Sequence, residues 1–197
     1  MKLSKEELLH ILVSVVTISL AFSFVMSGVS IGGEGVFDPG SFVLILLTVG
    51  VGFVFHELGH KYVAIKYGCQ AEYRAWTTGL FIALFLAVFA GFVFAAPGAV
   101  YIFGRHVTRE QNGKIAFAGP FVNFMLVVLF LLMWIFSPKP SFLADIGWFG
   151  AYVNSFLGAF NLLPFGPLDG NKVMQWNTLA WGALFLTFVA LLSFFIL

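Results

Sequence analysis

Long apolar runs dominate this chain, and its polar residues collect in the gaps between them. The first run, Leu8 to Ser27, is about 20 residues long, the length that one bilayer crossing needs. Lys2 and Lys5 precede it, and it is too long for the core of a cleaved signal peptide, so it reads as an uncleaved first helix over 8–27. A Gly-rich gap follows, with Glu34 and Asp38 but no Lys or Arg. A second helix is expected over 41–67, with Gly68 placed to cap it. The uncharged stretch 79–104 predicts a helix in its first half and two short strands around Pro97-Gly98, over 92–103, in its second. Helices over 115–136, 147–163 and 179–197 complete the pattern. Pro120 is read as lying near a helix start, where proline is tolerated. Asn123 is read as an amide bonding a neighbouring helix, and Gly147, Gly150 and Gly158 as permitting close packing.

Composition settles the class. The 197 residues are 60 % hydrophobic and 10 % charged, whereas a soluble domain is about one quarter charged. The fold class expected is an all-α multi-pass membrane protein, with about five spanning helices and a re-entrant helix/β-hairpin segment. It forms a single domain over 1–197 with no soluble accessory domain. A net charge of +1 gives no case for a nucleic-acid partner, and none is expected; the expected surroundings are a lipid bilayer. Cys69 is the one cysteine, so any metal must be held by other side chains.

The chemistry sits at the end of the second helix. His56 and His60 frame Glu57 in the order His-Glu-Leu-Gly-His. On a helix the two histidines are one turn apart on one face and converge on one ion, for which zinc suits two imidazoles and wants a third protein ligand plus water. Glu57 need not be a ligand; it can take the proton of the attacking water. Ionisable groups inside a membrane span are functional by default. Cys69, His10 and His106 read as a packed residue, an interfacial residue and a solvated one. Among the acidic residues only Asp169 lies in an apolar loop shaped by Pro and Gly at the end of a span. Alone it would serve equally as an Asx turn or N-cap; the need of the His pair for a third ligand favours ligation.

Three motifs in this order resemble one family. His56 to His60 after a membrane helix, Gly119-Pro120-Phe121-Val122-Asn123 in a later one, and Asn161 through Gly170 near the end are similar to those of the site-2 proteases, intramembrane zinc metalloproteases of peptidase family M50. The resemblance covers Gly52 to Gly170. It implies one zinc ion per chain held by His56, His60 and Asp169, with Glu57 as general base and Asn161 helping to hold the scissile carbonyl and its oxyanion. The substrate it implies is a transmembrane protein, cut within or near a membrane segment in regulated intramembrane proteolysis. The hairpin over 92–103 would offer an edge to the unwound substrate strand.

Topology follows from the same requirement. His56 and Asp169 must share one side of the bilayer, and the spans 115–136 and 147–163 already return the chain to its starting side. The stretch 79–104 must then re-enter rather than cross. That arrangement puts nine of the ten Lys and Arg in the cytoplasm, all but Lys139, where a crossing would leave six. A multi-pass cell-membrane protein is expected, with the site nearer the cytoplasmic face. A zinc transporter would want further acidic or His residues in other spans, and the sequence offers none outside this cluster.

Overall fold

The computed structural model describes residues 2–30, 33–93, 97–104 and 106–196. In chain order the elements are α1 (Lys5–Met26), α2 (Pro39–Ile45), a π-helical turn (Leu46–Gly50), α3 (Val51–Lys66), β1 (Gln70–Ala75), α4 (Thr77–Ala90), β2 (Gly98–Phe103), α5 (Arg109–Phe136), α6 (Phe142–Asn161), α7 (Asp169–Trp176) and α8 (Thr178–Ile196). They fall into two compact units, Met1–Val54 with Glu72–Tyr101, and Phe55–Ala71 with Ile102–Leu197. Four stretches are long and apolar enough to cross a membrane: Lys5–Met26, Pro39–Lys66, Arg109–Phe136 and Thr178–Phe195. The chain is thus a multi-pass membrane protein. The remaining expected span corresponds to α6, whose 20 residues include Asp145, Asn154 and Ser155, and which is not among the four.

In the first unit, Glu7, Ile11, Ser14, Ile18 and Ala21 of α1 are buried. Their alternating spacing of four and three puts them on one helical face. Polar residues on and beside this face meet β1 and the residue before β2. The Glu7 carboxylate accepts the Tyr73 N–H at 3.0 Å, and His10 Nδ1 accepts the Ala75 N–H at 3.3 Å. Tyr73 Oη lies 2.8 Å from Ser14 Oγ and 3.0 Å from Pro97 O. A carboxylate is tolerable in this buried position because backbone donors replace its lost water. α4 packs along α1.

The sheet differs from the expected hairpin. Phe92 and Val93 are in no strand, and Phe94, Ala95 and Ala96 lie outside the described residues. β2 pairs instead with β1, on the other side of α4 in sequence. Pro97 immediately precedes β2, and the Trp76 N–H bonds Pro97 O at 2.9 Å, which ties the start of β2 to the end of β1. Gly98 is required there: an added Cβ would sit 2.3 Å from Arg74 O.

In the second unit α5 begins at Arg109, six residues before the expected start. Thr108 and Gln111 form a capping box, which satisfies two orphan N–H groups and lets the helix extend beyond its apolar part. Pro120 is consequently an interior residue of α5, which corrects its placement near a helix start. It removes the donor that Ala116 O would receive and crowds that turn. α6 begins earlier than expected because the Ser141 hydroxyl accepts the Ala144 N–H, and it stops before Leu163, which precedes Pro164 and disfavours helix. The short α7 has no counterpart among the expected helices. α5 packs on α6 and α7, and α8 covers both of these. Gly147 sets the α5–α6 distance, since a Cβ there would lie 2.5 Å from the backbone nitrogen of Trp134.

That contact is with backbone, so no rotamer change relieves it. Gly147→Ala is expected to destabilise the protein by about 1–3 kcal/mol, read as a lowered midpoint of thermal unfolding in detergent. An unchanged midpoint would mean that the α5–α6 seam has slack.

Candidate active site

Helical spacing brings the paired histidines of α3 together. The His56 and His60 rings have centroids 4.6 Å apart and Nε2 atoms 3.0 Å apart. Asp169 reaches the same point from α7, where Leu168 is the N-cap and Asp169 lies in the first turn. Its Oδ2 is 3.3 Å from His56 Nε2 and 3.0 Å from His60 Nε2. The three residues are 5 %, 9 % and 8 % exposed. Among the described residues they form the one His/Cys/Asp/Glu group whose donor atoms could share an ion. Burial alone would raise the Asp169 carboxyl, but the facing His60 and His56 rings outweigh it and hold it far below the ordinary carboxylate range. Lys172 Nζ stands 3.5 Å from Oδ1, on the far side of that carboxylate.

α5 and α6 fix the backs of the rings. His60 Nδ1 lies 2.7 Å from Ile115 O. A carbonyl oxygen only accepts, so the proton of a neutral His60 is on Nδ1 and its Nε2 is a bare lone pair. His56 Nδ1 lies 2.6 Å from Asn123 Oδ1. Behind it, Asn123 Nδ2 donates to Asn154 Oδ1 at 2.9 Å, and Asn154 Nδ2 donates to Gly150 O at 2.9 Å.

Two glycines make the approach possible. A Cβ on Gly59 would lie 3.0 Å from Ala118 O, so α3 and α5 are nearly in backbone contact there. A Cβ on Gly119 would lie 2.5 Å from His60 Nε2 and 2.6 Å from His56 Nε2. The missing side chain of Gly119 therefore leaves open the space in front of both nitrogens.

The other residues singled out in the sequence are placed as follows. Glu57 is half-buried on α3, about 100° round the helix from His56. Asn161 ends α6, and its Nδ2 donates to Leu157 O at 2.9 Å. His10 is engaged with the Ala75 N–H, and His106 is exposed ahead of α5; neither joins the His–Asp group. Asn123 does bond a neighbouring helix, as its sequence context implies, but it also holds His56. Sequence reasoning missed Asn154, the Ile115 carbonyl and the space at Gly119. A signal for Asn154 exists, since Gly147, Gly150, Asn154 and Gly158 form one row along α6 at spacings of three, four and four. A polar residue in a row of packing glycines must face another helix.

Residues 44–147 match peptidase family M50, a stretch that holds the His pair and all of α5. A Methanocaldococcus jannaschii protein provisionally named a zinc metalloprotease is 42 % identical over 181 residues, which cover 91 % of this chain and 89 % of that one. A second zinc metalloprotease of that organism is 28 % identical over 163 residues, 79 % of this chain and 39 % of its own length. A Mycobacterium tuberculosis protein, also provisionally named a zinc metalloprotease, is 31 % identical over 124 residues, 61 % of this chain and 27 % of its own. No solved structure matches the chain significantly. By sequence and by its helical, membrane-embedded build, the chain belongs to peptidase family M50, a family of zinc metalloproteases.

Proposed function

We propose that this chain is an intramembrane zinc endopeptidase, with one zinc ion per chain, that cuts peptide bonds within or near the transmembrane segments of other proteins. The observation that carries the reading is the orientation of His60. With its Nδ1 proton committed to Ile115 O at 2.7 Å, its bare Nε2 points at His56 Nε2 and Asp169 Oδ2, both 3.0 Å away. Three such atoms converging in a buried site need positive charge among them, which a metal ion supplies and which, without one, only an added proton on a ring could supply.

The donor set fits zinc. Two imidazole nitrogens and one carboxylate oxygen are the three protein ligands a catalytic zinc takes, and zinc bonds of about 2.0–2.1 Å in a tetrahedron give ligand–ligand edges of roughly 3.4 Å. The edges here are 3.0, 3.0 and 3.3 Å. Held by His56, His60 and Asp169, zinc would polarise the scissile carbonyl and lower the pKa of water towards about 7. Glu57 takes the proton of the attacking water and later returns it to the leaving amine. Asn161 has two amide N–H groups; one bonds Leu157 O, and the second is assigned to the developing oxyanion.

The membrane setting supports the substrate class. His56 and His60 lie within the apolar stretch Pro39–Lys66. His56 is ten residues before Lys66, roughly 15 Å along the helix. Lys61 and Lys66 mark that end as cytoplasmic under the positive-inside rule. α4 has 14 residues, short of the roughly 20 that a crossing needs, which supports a re-entrant 79–104. A transmembrane substrate must unwind locally, because its peptide bonds are shielded by their own helical hydrogen bonds.

Metal content and cleavage separate the roles. Glu57→Gln is expected to keep zinc and lose cleavage of a tagged transmembrane substrate. His56→Ala and Asp169→Ala should lose both, and so should Gly119→Ala, whose methyl group would fill the space before the two nitrogens. Full activity in Glu57→Gln would sink the mechanism. For Asn161→Ala, zinc should be retained while turnover falls by roughly 2.7–4 kcal/mol in barrier; undiminished turnover of the zinc-loaded variant would return Asn161 to a helix-end role. Topology has its own check. In a Cys69→Ser background, cysteines at Glu110 and Asp145 should label from opposite sides with position 110 cytoplasmic, and external labelling of 110 would make 79–104 a true crossing.

A further inference from the structure

We propose that Asn123 and Asn154 are positioning residues that fix the tautomer of His56 and so aim its Nε2 lone pair into the metal site; this rests on the reading of that site as a zinc centre. The argument starts from an atom that has no choice. Gly150 O is a backbone carbonyl and can only accept. The Asn154 amide atom 2.9 Å from it must therefore be Nδ2. Oδ1 of Asn154 then faces Asn123, so the Asn123 atom 2.9 Å away must be its Nδ2. That leaves Oδ1 of Asn123 facing His56, 2.6 Å from Nδ1. An amide oxygen only accepts, so Nδ1 carries the proton and Nε2 of the neutral ring is bare.

The direction of the whole relay is set at Gly150. Turning both amides over would preserve the first two contacts and spoil only the last, placing Asn154 Oδ1 against Gly150 O. In that reversed state Asn123 donates to His56 Nδ1, the ring proton moves to Nε2, and the lone pair no longer faces Asp169. Asn123 and Asn154 are both fully buried, so no bulk water can relieve an opposed pair of oxygens, and the desolvation of both goes uncompensated. His60 receives the same instruction directly from Ile115 O. His56 receives it across two helices through neutral amides, which avoids a second buried carboxylate with its desolvation cost.

Outer partners of this kind typically change metal affinity about 10- to 100-fold when removed. The test uses full-length protein purified in detergent and a chelator-competition measurement of zinc affinity. Asn123→Leu and Asn154→Leu should each weaken zinc within that range, although Asn154 does not touch His56. Asn123→Asp keeps an acceptor at His56 Nδ1, though it loses the donor to Asn154, and should bind zinc more tightly than Asn123→Leu. The ¹⁵N shifts of the His56 ring in metal-free protein give a readout that folding alone does not move: Nδ1 protonated in the unsubstituted chain, and a mixture of tautomers in Asn154→Leu. Unchanged affinity in Asn154→Leu, or an Asn123→Asp variant as weak as Asn123→Leu, would overturn the proposal. If the leucine variants fail to fold, a protonated Nε2 in the unsubstituted metal-free protein overturns it by itself. A chain that binds no zinc at all defeats the protease reading, whereas tight zinc with unaffected variants defeats the relay alone.

Discussion

Three electron-rich atoms held 3.0–3.3 Å apart out of water form the constraint to which the second unit is built. An apolar bundle gains little from gathering them, because each loses solvation and, with no positive charge among them, meets only repulsion from the others. Every neighbouring element answers that cost. α3 supplies two nitrogens from adjacent turns. α7 supplies a carboxylate at its first turn, where Leu168 rather than Asp169 takes the N-cap position and leaves the acid to face the rings. α5 supplies a carbonyl and an amide behind the rings and, at Gly119, an opening in front of them.

Close approach of α3 and α5 has no hydrophobic cause in a bilayer, since lipid tails are as apolar as leucine. Van der Waals contact between small residues and interhelical hydrogen bonds must provide it. Gly59 against Ala118 O is such a contact, and His60 to Ile115 O and His56 to Asn123 are such bonds. Pro120 adds to this. By withdrawing the N–H that Ala116 O would receive, it loosens the turn next to Ile115 O, the carbonyl that bonds His60.

The His56, His60 and Asp169 group was legible in the chain, its His pair because that spacing is local. A His pair four residues apart needs only a helix to converge, and Asp169 is distinguished by being an acid in an apolar, Pro/Gly-shaped loop. What was not legible is non-local or silent in hydropathy. β1 reads as a polar loop, Gln-Ala-Glu-Tyr-Arg-Ala, since its partner lies beyond α4 and its Glu7 anchor lies 66 positions away. The early start of α5 rests on a capping box and an i,i+4 pair between Glu110 and Lys114, neither of which contributes to an apolar run. Gly119 was visible as a letter in a motif, but the space it leaves appears only when the two histidines are placed opposite it.

α6 shows why hydropathy undercounts the helices of such a protein. Its outward residues Phe142, Leu143, Phe156 and Phe160 are large, apolar and exposed. Its inward residues include Asn154 and Ser155, both fully buried, bonded to Asn123 and to the Ala151 carbonyl. A window average mixes the two faces, so Asn154 and Ser155, satisfied inside the protein, lower the mean hydropathy of the helix together with the exposed Asp145 of its first turn. In a soluble protein burial selects apolar side chains; here the lipid-facing side must be apolar, and the interior is where polarity is affordable once every donor and acceptor has a partner. The polar interior that disqualifies α6 by composition is the one that holds Asn154 behind Asn123 and His56.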